Sequence, residues 1–308
     1  MLSNDMKSFA WFYLLMAGTL LFLSACEDVI NIDLDETPPQ LVVDAWITDQ
    51  PGPQTIKLRL SQPYFENEPA PAVTGATVEI EDDLGNVYDF TDPDQNGDYV
   101  WTPPTPGEAL GVLNRSYTLR VSYQGETFQA TSQINRVPVI DSLVYEFREE
   151  ELGNPAAYYA QVYARDFVGS GDTYWIRTFK NGEFLSRGGD INIAYDAGFS
   201  AGGNVDGLYF ITPIREGINP FRLDENDEVL PPYELNDTIY VEIYSITNEA
   251  FFFLQQVQTQ LTNGGLFAVP TTNVPTNLVN LNPNSPIKAL GYFGASAVSA
   301  AGVRIEEE

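Results

Sequence analysis

The sequence contains no histidine and a single cysteine, Cys26, among 308 residues. Without histidine there is no Ser-His-Asp or Cys-His catalytic arrangement, no histidine general base, and almost no route to a zinc or haem site. One cysteine cannot form a disulfide within the chain. Basic residues are scarce as well: 15 Lys and Arg stand against 43 Asp and Glu, for a net charge of −28. A surface this acidic repels phosphate backbones, which excludes nucleic acid as a partner and argues against electrostatic docking on anionic headgroups. P-loop and dinucleotide fingerprints are missing, and Gly169-Ser170-Gly171 reads as a turn. An enzyme would be left with carboxylate chemistry, as in glycosidases, or a serine–lysine pair. The expectation is a protein that is not an enzyme and carries no cofactor.

Long apolar runs are also few. The one that stands out, Phe9 to Leu23, has fifteen uncharged residues behind Lys7. As a helix it would span about 22 Å, short of a hydrocarbon core of about 30 Å. A short apolar segment between a basic start and small residues reads as a secretory signal, here residues 1–25. Its exit, Leu23-Ser24-Ala25-Cys26, resembles the bacterial lipobox. That resemblance implies a diacylglycerol on the Cys26 thiol and a mature chain starting there, which would leave no thiolate for catalysis or an iron–sulfur cluster. Two or three acyl chains, at about 0.8 kcal/mol per buried methylene, would hold it to a membrane permanently. Glu27 and Asp28 come next and resemble the surface-export signal of Bacteroidota lipoproteins.

Beyond Cys26 the apolar segments are mostly short and alternating. Residues 26–39 are polar and acidic and end in Pro38-Pro39, suiting an extended tether. Strands are expected at 40–48, 54–61, 76–82, 86–91, 97–102, 116–123 and 126–134, separated by turn clusters such as Gln50-Pro51-Gly52-Pro53. In 116–123, Tyr117, Leu119, Val121 and Tyr123 fall on one face and Thr118, Arg120 and Ser122 on the other, the period of a half-solvated strand. So many strands in so short a span predict an antiparallel β-sandwich over 40–137. A second β domain, 138–308, is expected to hold strands at 140–153, 157–167, 173–186, 207–214 and 237–246, with closing strands after 288. One stretch breaks the pattern: Ala250, Leu254, Val257 and Leu261 form a helical stripe, predicting one α-helix at about 248–263 capped by Thr247 or Asn248. Phe251, Phe252 and Phe253 cannot all face the core.

Two groups of residues are candidates for a site. Asp92, Asp94, Asn96 and Asp98, with Gly97 between them, match the first half of a calcium loop, although its twelfth position is Pro103 rather than Glu. The same residues are those a hairpin turn selects for backbone reasons, and the turn is the stronger reading. Aromatics are plentiful, among them Trp46, Trp101, Trp175, Tyr158, Tyr159 and Tyr163. Singly these are ordinary filling for strand faces; several together could line a ligand groove.

Two resemblances extend this reading. Gly75, Ala76, Val78, Gly85, Asn96, Gly97 and Tyr99 fall where transthyretin-like and carboxypeptidase-regulatory sandwiches carry their matching strand and turn residues. That likeness concerns architecture alone. Over nearly the whole chain from Cys26, the order "CEDVINIDLD", "LVVDAWITDQPGPQTIKLRLS", "VTGATVEI", "VPVIDSLVYEF", "LTNGGLFAVPTTNVPTNLV" and "LGYFGASAVS" resembles the Bacteroidota lipoprotein family known as domain of unknown function 4249. The resemblance implies an outer-membrane lipoprotein in a TonB-dependent transport context, an accessory or ligand-binding component of nutrient uptake, and transfers no site residue. A structural or adhesive surface lipoprotein is the second reading and a carboxylate glycosidase the third.

Overall fold

Alternation of apolar and polar residues sets the first strands, and the computed structural model places them within a residue or two of expectation. It describes residues 38–307 apart from 64, 65, 67, 152 and 265–271. The signal segment, Cys26 and the tether up to residue 37 therefore lie outside the described residues.

Seven strands open the chain: β1 (Leu41–Thr48), β2 (Gln54–Leu60), β3 (Thr77–Asp82), β4 (Val87–Phe90), β5 (Asp98–Trp101), β6 (Ser116–Tyr123) and β7 (Glu126–Gln133). They build two facing sheets. Leu41, Val43, Ala45 and Ile47 of β1 point inward, as do Tyr117, Leu119 and Val121 of β6, and all are buried. This is the expected sandwich, closed by segments from the far end of the chain. β14 (Val279–Asn280) pairs with β7, and β15 (Ala289–Ser296) lies parallel to β1, giving sheet orders β15-β1-β2-β5 and β14-β7-β6-β3-β4.

The expected division at residues 137 and 138 needs correction on this point. Leu278, Ala289, Phe293 and Ala295 belong to the core of the first sandwich, not to the second part of the chain. Parallel partners need a long connection, and here everything from β2 to β14 lies between the two strands.

The second part contains β8 (Ile140–Arg148) paired with β9 (Ala157–Ala164), and a sheet of β10 (Thr173–Lys180), β11 (Glu183–Phe184), β12 (Asn192–Tyr195), β13 (Thr238–Ile246) and β16 (Val298–Arg304). Tyr174, Ile176, Val241 and Ile243 are wholly buried on its inner face with Ala160 and Val162 of β9.

The strand expected at 207–214 is a second correction. Gly207 has φ +70, Tyr209 makes an isolated bridge to Arg165, and helix α1 (Thr212–Glu216) comes next with a proline in its first turn. Leu208, Phe210, Thr212 and Ile214 mimic period two. The side chains that are wholly or almost wholly buried, however, are Phe210, Ile214 and Ile218, four residues apart. Proline in the first turn costs a helix nothing, because that N–H has no intrahelical acceptor.

The long helix α2 (Asn248–Leu261) forms where expected and stops two residues early, at a C-cap on Thr262. Thr247 caps its start, accepting the Ala250 N–H at 3.2 Å. Phe251 is buried, Phe252 is exposed, and Phe253 leaves the helix sideways to meet Tyr292 of β15, ring centroids 4.6 Å apart. Among the described residues no helix is long and apolar enough to cross a membrane.

Candidate functional site

Because β1 buries every second residue, its other side chains face out of the sandwich: Val42, Asp44 and Trp46. In the parallel register Tyr292 stands beside Asp44, and Gly294 beside Trp46. Glycine is required there, since a Cβ on residue 294 would overlap the Trp46 indole. Across a gap stand Trp175 of β10, Phe184 of β11, and Phe253, Leu254, Val257 and Leu261 of α2. Together they line an open groove of about 270 Å³.

The rings form one continuous cluster. Trp46 lies 5.1 Å from Trp175 and stacks on Tyr292 at 5.8 Å, and Trp175 meets Phe184 edge-on at 6.3 Å. Just beyond Trp175, the Arg177 guanidinium sits over Phe184 at 4.5 Å and Tyr244 at 4.8 Å, and donates to the Tyr244 hydroxyl at 2.6 Å. Burial pushes the Tyr244 phenol up to about 12, despite the opposing pull of Arg177.

Two carboxylates line the groove, and they differ in kind. Asp190 is held by Arg222 at 2.9 and 2.6 Å and accepts the Arg187 N–H at 2.9 Å. Asp44 has no hydrogen bond or ion pair among the described residues, even to Lys57, its register partner on β2. It is exposed to solvent, and the partial desolvation beside its apolar neighbours still raises its pKa above the ordinary carboxylate value. Lys57, Arg177 and Arg59 pull the other way and lose.

The residues expected to hold calcium stay local. Both oxygens of Asp92 accept backbone N–H groups, from Asn96 at 3.1 Å and Gly97 at 3.0 Å. Asn96 accepts the Asp98 N–H at 2.9 Å, Asp98 pairs with Arg59 at 2.5 Å, and Asp94 is exposed. These are the bonds of a hairpin turn, with a cation already beside its last acid.

Three carboxylates do converge elsewhere: Asp166, Asp196 and Asp206 each place an oxygen within 4.8 Å of the others. Such oxygens suit a hard cation. Protein donors already serve them, however. Asp166 accepts Tyr174 Oη at 2.6 Å and the Gly207 N–H at 3.1 Å, Asp196 accepts Gly171 and Asp172, and Asp206 accepts Gly169. Removing calcium with EGTA is therefore expected to leave the Tm unchanged within about 1 °C; a fall of several degrees would show a structural ion at one of these two places.

A Ser-x-x-Lys spacing that the reading of the sequence passed over, Ser285 to Lys288, lies in a loop where Ser285 Oγ donates to Glu126 at 2.8 Å and Lys288 is exposed.

Of the aromatics singled out in the sequence, Trp46 and Trp175 reach the groove. Trp101 lies in the first core against Tyr88, and Tyr158, Tyr159 and Tyr163 are on β9. Asp44, Phe184 and Tyr292 were not singled out, and Phe253 was marked only as one of three phenylalanines that cannot all face the core. For Asp44 a signal existed: in "LVVDAWIT" the alternation that buries Val43 and Ala45 puts an acid and a tryptophan on the opposite face.

Fold and groove together define a mainly β protein with two packed parts and an aromatic-lined surface groove. The chain belongs to the family described as domain of unknown function DUF4249, whose profile matches residues 27–301. A search of curated proteins gave no match. Among solved structures, a two fibronectin type-III domain segment from chicken tenascin aligns with 68% of this chain and 91% of its own, at 13% identity and a TM-score of 0.19.

Proposed function

We propose that this chain is a non-catalytic, lipid-anchored protein of the outer-membrane surface, a ligand-binding or accessory component of TonB-dependent nutrient uptake. The observation that carries the binding role is the open aromatic groove with one unpaired carboxylate. Membrane attachment is supported by Leu23-Ser24-Ala25-Cys26 at the end of an apolar segment. A glycosidase needs two carboxylates flanking one bond, about 5 to 9.5 Å apart. The groove offers Asp44 alone, because Arg222 engages Asp190.

Two experiments test this. Cys26→Ala is expected to move the protein from the membrane pellet to the soluble fraction; equal sedimentation of variant and wild type would remove the anchor. A C-terminally tagged chain, purified from native membranes in mild detergent, is expected to bring a TonB-dependent barrel with it in near-stoichiometric amount. Recovery alone, under conditions that keep a known transporter–lipoprotein pair together, would overturn the uptake role and bring the adhesive reading forward.

A further inference from the structure

The chemistry of the groove narrows its ligand. Its walls are aliphatic and aromatic, and Ser186 is the one hydroxyl-bearing aliphatic side chain among them. A sugar would leave most of its hydroxyls without partners on such a surface. An anion would meet Asp44 and a chain of net charge −28. A cation would meet the opposite. Trp46 and Trp175 are part-exposed, and their faces carry the negative lobe of the ring quadrupole, which attracts organic ammonium groups within about 6 Å. Asp44 supplies a full charge that nothing else in the described structure pairs.

We propose that the groove binds a small organic cation, an alkyl- or arylammonium whose apolar body lies against Trp46, Trp175 and Tyr292 and whose charged head meets Asp44. This deepens the reading of the groove as the ligand-binding face and rests on it. The volume, about 270 Å³, falls just under the range of about 300–1,000 Å³ usual for drug-sized ligands, so the ligand is small. The groups that act on Asp44 are Lys57 and Arg59 of β2, Arg177 of β10 and Asp98 of β5. Arg177 is enclosed by rings and bonded to Tyr244, so it does not compete for the carboxylate. An incoming ammonium would set a counter-charge beside the carboxylate and offset the effect that raises its pKa.

The test uses the lipidated chain from Cys26 onward, which lacks Trp11, in zwitterionic lipid nanodiscs, labelled with 5-fluorotryptophan and followed by fluorine NMR. Trp46 and Trp175 report on the groove, and Trp101, in the first core, is the internal control. The probes are phenethylammonium, the neutral 2-phenylethanol and the anionic 3-phenylpropionate. Phenethylammonium is expected to shift the Trp46 and Trp175 signals and leave Trp101 unmoved, with a Kd at least about tenfold below that of 2-phenylethanol. The anion is expected to give no shift. Asp44→Asn should abolish the preference, bringing the Kd of phenethylammonium level with that of 2-phenylethanol in the same variant. If that variant moves the Trp101 signal, Asp44→Ser takes its place. Equal affinity for cation and alcohol in the wild type, or a preference that survives loss of Asp44, would overturn the inference and leave a groove that binds apolar ligands. No shift with any probe would overturn it together with the binding role of the groove. A copurifying transporter would then still support the accessory role, since that readout is independent.

Discussion

Gly291→Ala is expected to destabilise the protein by about 2–6 kcal/mol, combining about 1–3 for backbone strain with about 1–3 for overpacking. Gly291 has φ +90, and a Cβ there would overlap the carbonyl oxygen of Val43 on the neighbouring strand. No rotamer can relieve a clash with backbone, so β15 must shift away from β1. The register beyond it carries Tyr292 beside Asp44 and Phe293 beside Ala45 in the first core. The variant should lose both stability and the geometry of the groove. Gly85→Ala is the control: its φ is +83, but nothing lies within 4 Å of the added carbon. It should cost about 1 kcal/mol, the effect of conformation alone. Denaturant midpoints of the two variants check this, and similar losses would mean that the close approach of β15 to β1 matters little.

Asp82→Ala should cost about 2–3 kcal/mol, since it strips a charged acceptor from two backbone N–H groups and two side chains. The side chain is 3% exposed and ends β3 at a tight hairpin. One carboxylate oxygen accepts the Leu84 and Asn86 N–H groups, each at 2.9 Å. The other accepts the Asn86 amide at 2.8 Å and the Tyr88 hydroxyl at 3.2 Å, and lies 2.9 Å from Arg115. Burial alone would raise its pKa. The bonds from Asn86 and Leu84, with the charge of Arg115, overcome that and hold it below the ordinary 3.8. The folded state therefore binds this proton more weakly than the unfolded chain. The stabilisation is complete above pH 3.8 and is lost as pH falls through the depressed folded value. Asp82→Asn, expected to cost about 1–3 kcal/mol, should flatten the acid limb of the stability curve. An acid limb as steep as that of the wild type would show that other carboxylates dominate it.

Strand positions were legible wherever one face of a strand is buried and the other is wet. Tyr117, Leu119 and Val121 announced β6 because period-two burial writes itself into the sequence. Helix α2 was equally plain from its apolar stripe and its threonine cap. The misreading at 207–214 came from the same rule, since Leu208, Phe210 and Ile214 fit alternation by chance while tertiary contacts selected a four-residue spacing. The groove was illegible for a different reason. Asp44, Trp175, Phe253 and Tyr292 come from four elements far apart in the chain, and no local pattern records which outer faces will meet. The block "GYFG", inside the stretch "LGYFGASAVS" that carries the family resemblance, does not explain itself in the sequence. Its two glycines matter only once β15 lies against β1, where one must clear the Val43 carbonyl and the other the Trp46 ring.

The parallel pairing of β1 with β15 also governs when the protein can fold. The first described strand finds one of its two neighbours only in residues 289–296, far along the chain. Until that segment is made the sheet lacks its edge strand, and Phe293 is missing from the core. Closing so large a loop costs entropy before any contact offsets it, so the step is slow and comes late. A nascent chain built this way cannot complete its first sheet until residues 289–296 have been made, so that sheet locks late however early its other strands appear.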